Sequence, residues 1–357
     1  MTNDKPDEAS SSKRPRRHRW LRGIAIAIAI VVAVGAVGGL IVANNTQVVV
    51  GLFQGYKSQN SFAAKDEPAT TERDNGIVYA NDIAYGDEYP NSYLDISYPD
   101  NDLTLDRPTI VFFHGGGFFG GDKVLGDPLA ADGPANLLYD RIIEQGYNFV
   151  NVNYALVPEY RFPTPVQQVD QALSFLRTNA AQYQLNMDNV ILMGSSAGAI
   201  MAAQYGAALS NPSYASEVGI EPSVPLQSVR GIILDDAPLI FDHFGIATKI
   251  LIGNYLDGTL HPSDELRSVY NPIDSVTGKY PPTFLIGSNY TDAGYAYDME
   301  QLSDALESQG VRHDFFYETR DDGSVADHGL LGGLASGDQI AVDAFARMTS
   351  FLASTQH

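Results

Sequence analysis

Short apolar runs and longer mixed segments alternate along residues 76 to 355. The short runs hold four to six residues rich in Ile, Val and Phe, which is typical of strands covered on both faces of a sheet. The longer segments predict helices. Strand and helix in alternation indicate an α/β domain with a doubly wound, mostly parallel sheet. The eight predicted strands are GIVYANDIAY, YLDISYP, TIVFFH, YNFVNVNYAL, NVILMG, VRGIILDDA, PTFLIGS and HDFFYE.

A different apolar pattern occupies residues 23–43, which read GIAIAIAIVVAVGAVGGLIVA without one charged side chain. As a helix they would span about 30 Å, the thickness of a bilayer core, so they predict one N-terminal transmembrane helix. The basic residues 1–22, with seven Lys and Arg against three Asp and Glu, predict a cytoplasmic tail, a location in the cell membrane and export of the rest of the chain. The alternative is secretion after signal cleavage, but the run exceeds the usual apolar length of a signal peptide. Its length therefore favours a retained signal-anchor.

The rest of the chain divides into a linker and a domain. Residues 44–75 predict a tether: VVVGLF, residues 48–53, is apolar and is expected near the membrane surface, whereas residues 57–75 are polar and aperiodic. Residues 76–357 form the predicted domain, with a cap insertion at about 238–280, between the sixth and seventh predicted strands.

Charge and cysteine content exclude several functions. Residues 23–357 carry 15 Lys and Arg against 40 Asp and Glu, so this acidic body should repel nucleic acid. The chain has no cysteine, which excludes disulfides, thiolate catalysis and cysteine metal sites.

A glycine-rich loop, HGGGFFGGDK at residues 114–123, follows the third predicted strand. Its consecutive glycines lack a Cβ, so the N–H groups of Gly115 and Gly116 can converge on one oxygen atom. A phosphate loop of the Walker type would require GxxxxGK followed by Ser or Thr, and the loop lacks that spacing. The sequence therefore favours an oxyanion hole over a phosphate site or a merely flexible turn.

A second loop, GSSAG at residues 194–198, joins the fifth predicted strand to a helix and matches G-x-S-x-G. In such an elbow the central residue is strained and needs small neighbours two positions away on each side. The pattern predicts Ser196 as a nucleophile, with the N–H of Ala197 as a further oxyanion donor.

A nucleophilic serine needs a base, and the base needs an orienting carboxylate. Of the seven histidines, only His328 lies in a loop after the last predicted strand, so it is the predicted base. In the chain order Ser, Asp, His, the acid should follow PTFLIGS, which offers Asp292 and Asp298. Asp292 is nearer the strand end and is the predicted acid, whereas Asp298 is interpreted as a residue of the next helix start.

These motifs, in this order, resemble the α/β-hydrolase superfamily, and within it the hormone-sensitive-lipase-like esterase and lipase group. HGGGFFGGDK is similar to the group's HGGG-x-x-x-GDK form, and the resemblance covers residues 76 to 355. Ala155 and Ser195 depart from the group's pattern, and the acid loop GSNYTD is shifted by two residues. Further matching positions are Tyr154, Pro158, Glu159, Phe162, Pro163 and Asp170.

The motifs and the resemblance together predict a serine carboxylesterase that hydrolyses short-chain, small-molecule esters through an acyl-enzyme, without a metal or organic cofactor. Phe118 and Phe119 beside the oxyanion loop predict an apolar substrate pocket, unless they only pack the cap onto the sheet. An amidase or peptidase of the same fold, or a non-catalytic membrane-tethered binding protein, remains an alternative. The sequence does not indicate an oligomeric state.

Overall fold

The computed structural model describes residues 35–64, 70–72, 75–104, 106–124, 135–290 and 294–355. Within these residues a nine-stranded sheet has the order β1-β2-β3-β5-β4-β6-β7-β8-β9. Pairing is antiparallel from β1 through β3 to β5 and parallel across the rest. The strands are β1 Thr70–Glu72, β2 Val78–Ala84, β3 Tyr93–Tyr98, β4 Pro108–Phe113, β5 Asn148–Val152, β6 Asn186–Ser195, β7 Val229–Asp235, β8 Thr283–Ile286 and β9 His313–Phe316.

Helices connect the parallel strands, as right-handed crossovers require. The helices are α1 Gln47–Phe53, α2 Ala135–Ile143, α3 Thr164–Thr178, α4 Ala180–Tyr183, α5 Ala197–Ser210, α6 Pro212–Glu217, α7 Ile246–Leu256, α8 Asp264–Tyr270, α9 Tyr295–Ser308 and α10 Gln339–Thr355. Residues 35–44 are also helical and are called the leading helix below. Helices α7 and α8 lie between β7 and β8, in the segment predicted as a cap.

Two hydrophobic cores cover the two faces of the sheet. Successive residues of the central strands point to opposite faces, so Val111 and Leu192 belong to one core and Ile110 and Ile191 to the other. All four side chains are fully buried. This two-sided burial explains why the sequence shows continuous apolar runs instead of alternation.

The predicted α/β-hydrolase fold is confirmed. Each of the eight predicted strands overlaps a strand of the structure, from β2 to β9. The ninth, β1, is a three-residue edge strand that pairs with β2 and lies in the segment predicted as a tether.

Of the predicted transmembrane helix, residues 23–43, the first part, 23–34, lies outside the described part of the chain. Among the described residues, no single helix has the length and apolar content needed to cross a membrane. The leading helix and α1, which meet at 85°, satisfy that test only as a bent pair.

Residues 43–60, here called the strap, correct the prediction of a flexible tether. Val50 in α1 is fully buried in the larger core. The side-chain amide of Gln54 donates hydrogen bonds to the carbonyls of Phe119 and Val157, at 3.0 and 2.8 Å. Asn60 accepts a hydrogen bond from the N–H of Leu156 at 2.7 Å. The polar side chains of the strap form hydrogen bonds to backbone groups that are distant in sequence. Composition alone does not distinguish such residues from those of a solvated linker.

Replacing Val50 with Ala should lower the free energy of unfolding by about 2 kcal/mol, because it removes buried methyl groups and leaves a cavity. Val48→Ala, on the exposed side of the same helix, should change it by less than about 0.5 kcal/mol. Chemical denaturation of the full chain followed by circular dichroism measures both. Equal, small effects would show that the strap does not dock.

Candidate active site

The turn at Ser196 joins β6 to α5 and has the geometry of a strained elbow. Ser196 has φ 53° and ψ −116°, a backbone conformation that side-chain-bearing residues seldom adopt. A Cβ on Gly198 would lie 1.9 Å from the carbonyl oxygen of Phe113, at the end of β4. A Cβ on Gly194 would lie 2.2 Å from backbone atoms of Gly198. Both glycines therefore permit the close approach that holds the serine above the sheet.

The glycine loop begins at the end of β4, beside the elbow. Gly116 has φ 112°, which glycine adopts at little cost. Within the described residues, no backbone or side-chain group accepts a hydrogen bond from the N–H of Gly115, Gly116 or Ala197. Ala197 is the first residue of α5, where N–H groups lack a partner inside the helix. These three donors are available to an oxygen atom of a ligand.

Buried groups fix the shape of the glycine loop. The ring of His114 stacks on that of Tyr154 with centroids 4.4 Å apart, and the Tyr154 hydroxyl donates to the His114 carbonyl at 2.7 Å. Burial lowers the pKa of His114 to about 4, so its ring is neutral near pH 7. At the far end of the loop, the Lys123 ammonium contacts Asp82 and Asp95 at 2.7 Å each.

His328 lies next to the elbow serine. Its Nε2 is 2.8 Å from the hydroxyl oxygen of Ser196, and both residues are buried. The ring of Tyr295 stacks on the imidazole with centroids 4.4 Å apart. The structure therefore brings together the two side chains that the sequence predicted as nucleophile and base.

The carboxylate that the structure places at the other ring nitrogen is that of Asp236, which the sequence analysis missed. Its Oδ2 is 3.3 Å from Nδ1 of His328 and accepts the N–H of Gly329 at 2.9 Å. Its Oδ1 accepts the N–H of Ser288 at 2.6 Å. Asp236 also has φ 57°, a strained value that a functional position can retain. Asp292 lies outside the described residues, so its predicted role stays a prediction.

Asp236 directly follows β7, the strand beside β6, which leads into the predicted nucleophile Ser196. A carboxylate at the end of a buried strand, in IILDDA, is the signal that could have identified this residue in the sequence. The preceding residue, Asp235, accepts the N–H of Leu331 at 3.2 Å. Burial, and secondarily the neighbouring Asp236, raise the pKa of Asp235. The two carboxyl groups thus fix the loop that carries His328 at two points.

Asp298, the second sequence candidate for the acid, has a structural role. It lies in the first turn of α9, as interpreted from the sequence, and its Oδ2 accepts the N–H groups of Leu239 and Ile240 at 2.7 and 3.0 Å. It therefore fixes the start of the cap. Burial raises its pKa to about 7.

The predicted pocket residues pack against the cap and the strap. Phe118 is fully buried, and its ring is parallel to that of Tyr255 in α7 with centroids 3.5 Å apart. Phe119 is nearly buried and lies 6.1 Å from the ring of Phe53 in the strap. Phe118 therefore packs the cap onto the domain, which was the alternative to a substrate pocket in the sequence analysis.

Gly198→Ala should destabilise the fold by about 3 kcal/mol or more, because the new methyl group would overlap the Phe113 carbonyl. Gly86→Ala is the control, since a Cβ there meets neighbours only at ordinary contact distances, 3.8 Å and beyond. Thermal unfolding of both variants tests this; equal melting temperatures would contradict the elbow geometry.

Asp298→Asn should become more stable relative to the wild type as pH rises from about 4 to 7. A folded pKa of about 7, raised from 3.8, means that the folded state binds the proton more tightly than the unfolded state. Wild-type stability therefore falls with rising pH across this window and levels off above it. Asn does not titrate.

The measurement is the free energy of unfolding at several pH values. Glu300→Gln, an exposed position on the same helix, is the control. A stability difference between wild type and Asp298→Asn that stays constant from pH 4 to 7 would contradict the buried-carboxyl assignment.

Comparisons with known proteins agree with this fold. Esterase LipC of Mycobacterium tuberculosis (strain ATCC 25618 / H37Rv) is 25% identical over 215 residues, which cover 58% of this chain and 50% of LipC. The chain thus spans about half the length of this curated relative.

Solved structures are also similar. Esterase B from Lactobacillus rhamnosis (HN001) matches with a TM-score of 0.64 and 19% identity, over 80% of this chain and 88% of that one. A structure of the same esterase described as inhibited by a C4-C4 SN3 tributyrin phosphonate matches with a TM-score of 0.63, at 18% identity and the same coverage. At sequence identities below 20%, these similarities show a shared fold and nothing about activity.

The family model described as BD-FAE matches residues 94–293, which include the glycine loop, the elbow and Asp236. This match spans more than half of the 357 residues. The chain belongs to the BD-FAE family, with an α/β-hydrolase fold.

Proposed function

We propose that the protein is a serine carboxylesterase that hydrolyses short-chain esters of small molecules through an acyl-enzyme on Ser196. The observation that carries this proposal is the 2.8 Å contact between the Ser196 hydroxyl and Nε2 of His328, on a strained elbow beside free backbone donors. A serine hydroxyl is a weak nucleophile until an adjacent base accepts its proton. The names of the relatives, esterase LipC and the phosphonate-inhibited esterase B, support the same chemistry.

In the first half-reaction, His328 removes the hydroxyl proton as Ser196 attacks the ester carbonyl carbon. For Nε2 to accept this proton, Nδ1 must carry the other ring hydrogen, which then points at Asp236. The carboxylate holds this tautomer and stabilises the imidazolium that forms. The alcohol leaves with the proton from Nε2.

The N–H groups of Gly115, Gly116 and Ala197 stabilise the negative charge that develops on the carbonyl oxygen. Removal of one such donor typically raises the barrier by about 3 kcal/mol, so the shape of the glycine loop contributes to the rate. Water then attacks the acyl-enzyme by the same route, with His328 again as the base. Every step uses side chains and backbone groups of this chain, and the mechanism requires no metal or organic cofactor.

We also propose that residues 23–43 anchor the chain in the cell membrane, with the N-terminus cytoplasmic and the catalytic domain outside. This proposal is supported by the length and uncharged character of the run and by the basic residues before it. Flotation of the full chain with vesicles tests the anchor; recovery of the intact chain in the soluble fraction would overturn it.

Ser196→Ala should abolish hydrolysis of p-nitrophenyl acetate and butyrate by the full chain, and Asp236→Asn should lower kcat by about 10⁴-fold, because the imidazole loses its orienting carboxylate. Asp292→Asn, the rival from the sequence, should retain activity to within about tenfold. Initial rates measure all three, and circular dichroism checks that each variant folds.

The two Asp variants are each other's control. A large loss in Asp292→Asn with retention in Asp236→Asn would reassign the acid. Full turnover by Ser196→Ala would overturn the acyl-enzyme mechanism and favour another function for the fold.

A further inference from the structure

Helix α1 of the strap is apolar on both sides, whereas a surface helix in water has a polar outward side. Its domain-facing side carries the fully buried Val50 and also Gln47, and the flanking Thr46 and Gln54 are buried. Its outward side carries Leu52 and Phe53, which are 65% and 71% exposed. The apolar leading helix before it is also largely exposed. An apolar outward surface of this kind indicates a partner that is itself apolar.

Direct hydrogen bonds fix the strap to the cap from its first residue. The N–H of Leu260 donates to the Ala43 carbonyl at 2.9 Å, and the N–H of Thr46 donates to the Gly258 carbonyl at 2.8 Å. The Thr46 hydroxyl lies 3.2 Å from Oδ1 of Asn254 in α7. The domain therefore cannot rotate freely about the point where the apolar run ends.

The same strap contacts the loop that carries the oxyanion donors. Gln54 donates to the Phe119 carbonyl, and Phe119 is three residues after Gly116. Because the rings of Phe53 and Phe119 are 6.1 Å apart, the exposed apolar surface lies immediately beside the glycine loop.

Charge and chain continuity indicate what covers this surface. Residues 35–60 contain no Asp or Glu and one Lys, in a chain that carries 43 acidic residues. They directly continue the uncharged run that begins at residue 23. An acidic protein that approaches a bilayer needs a face without negative charge, and this segment supplies one where the proposed anchor ends.

We propose that the outward side of the strap lies on the lipid bilayer, so that the docked anchor places the glycine loop at the membrane and esters enter from the lipid phase. This inference rests on the proposed esterase function and the proposed anchor. It adds that the site faces the membrane and that the substrate is dissolved in the lipid. The substrate class is an apolar ester that partitions into membranes.

The absence of cysteine from the chain allows a position-specific test. Leu52→Cys in the full chain, labelled with an environment-sensitive fluorophore and reconstituted in phosphatidylcholine vesicles, should be quenched by lipids brominated on their acyl chains. Val342→Cys is the matched control, because Val342 is 40% exposed on α10, a helix that packs on the opposite face of the sheet from the strap. Its label should not be quenched.

Equal quenching of the two labels, or none at either, would overturn the proposed orientation. Self-quenching of the Leu52→Cys label without quenching by brominated lipid would show that a second copy of the chain covers the strap, and would also overturn it. This readout does not depend on catalysis, so it separates failure of the orientation from failure of the esterase assignment. Loss of the chain from the vesicles would identify failure of the anchor and overturn the inference with it.

A catalytic arm tests the substrate class. Leu52→Glu should lower hydrolysis of hexadecyl acetate, a short-chain ester that partitions into the vesicles, by at least about tenfold as measured by acetate release, because a carboxylate is costly in an apolar interface. It should keep turnover of the water-soluble butyrate ester to within about twofold, and Val342→Glu should change neither rate. An equal effect of Leu52→Glu on both esters would overturn entry from the lipid phase. Hydrolysis of neither ester by the wild type would refute the esterase function itself.

Discussion

The contact between the start of α5 and the end of β4 determines the geometry of the site. The backbone of Gly198 lies so close to the Phe113 carbonyl that no Cβ fits between them. This approach accompanies the positive φ of Ser196 and brings the start of the helix beside the loop that begins at His114. One steric constraint thus brings the proposed nucleophile close to the proposed oxyanion donors.

Buried carboxyl groups perform a second task, which is to fix the loops that meet at the site. Asp236 accepts N–H groups from two loops, at Ser288 and Gly329, and Asp235 fixes Leu331. Asp298 fixes the start of the cap in the same way. Each carboxyl group loses its hydration in these positions and regains part of that energy from backbone donors. Some of the acidic residues of the domain are therefore buried and hold loops in place instead of lying on its surface.

Residues with local signals could be predicted from the sequence, and residues with long-range partners could not. Ser196, His328 and the glycine loop are marked by spacing and by their place after strands. Asp236 was missed because the acid was sought only after the penultimate strand, whereas its partner His328 lies 92 residues away. The strap was interpreted as a tether because its contacts join residues as much as 208 positions apart, as between Thr46 and Asn254. Phe118 faces the cap because Tyr255 covers it, a contact that no local pattern encodes.

The central claim is that Ser196 is an activated nucleophile, and covalent trapping tests it most directly. The full chain would be incubated with a p-nitrophenyl alkylphosphonate, and the adduct counted by intact mass and located by peptide mapping. The account predicts one phosphonate per chain, on Ser196, with stoichiometric release of p-nitrophenol. A folded chain that remains unlabelled, or that carries the label on another residue, would contradict it.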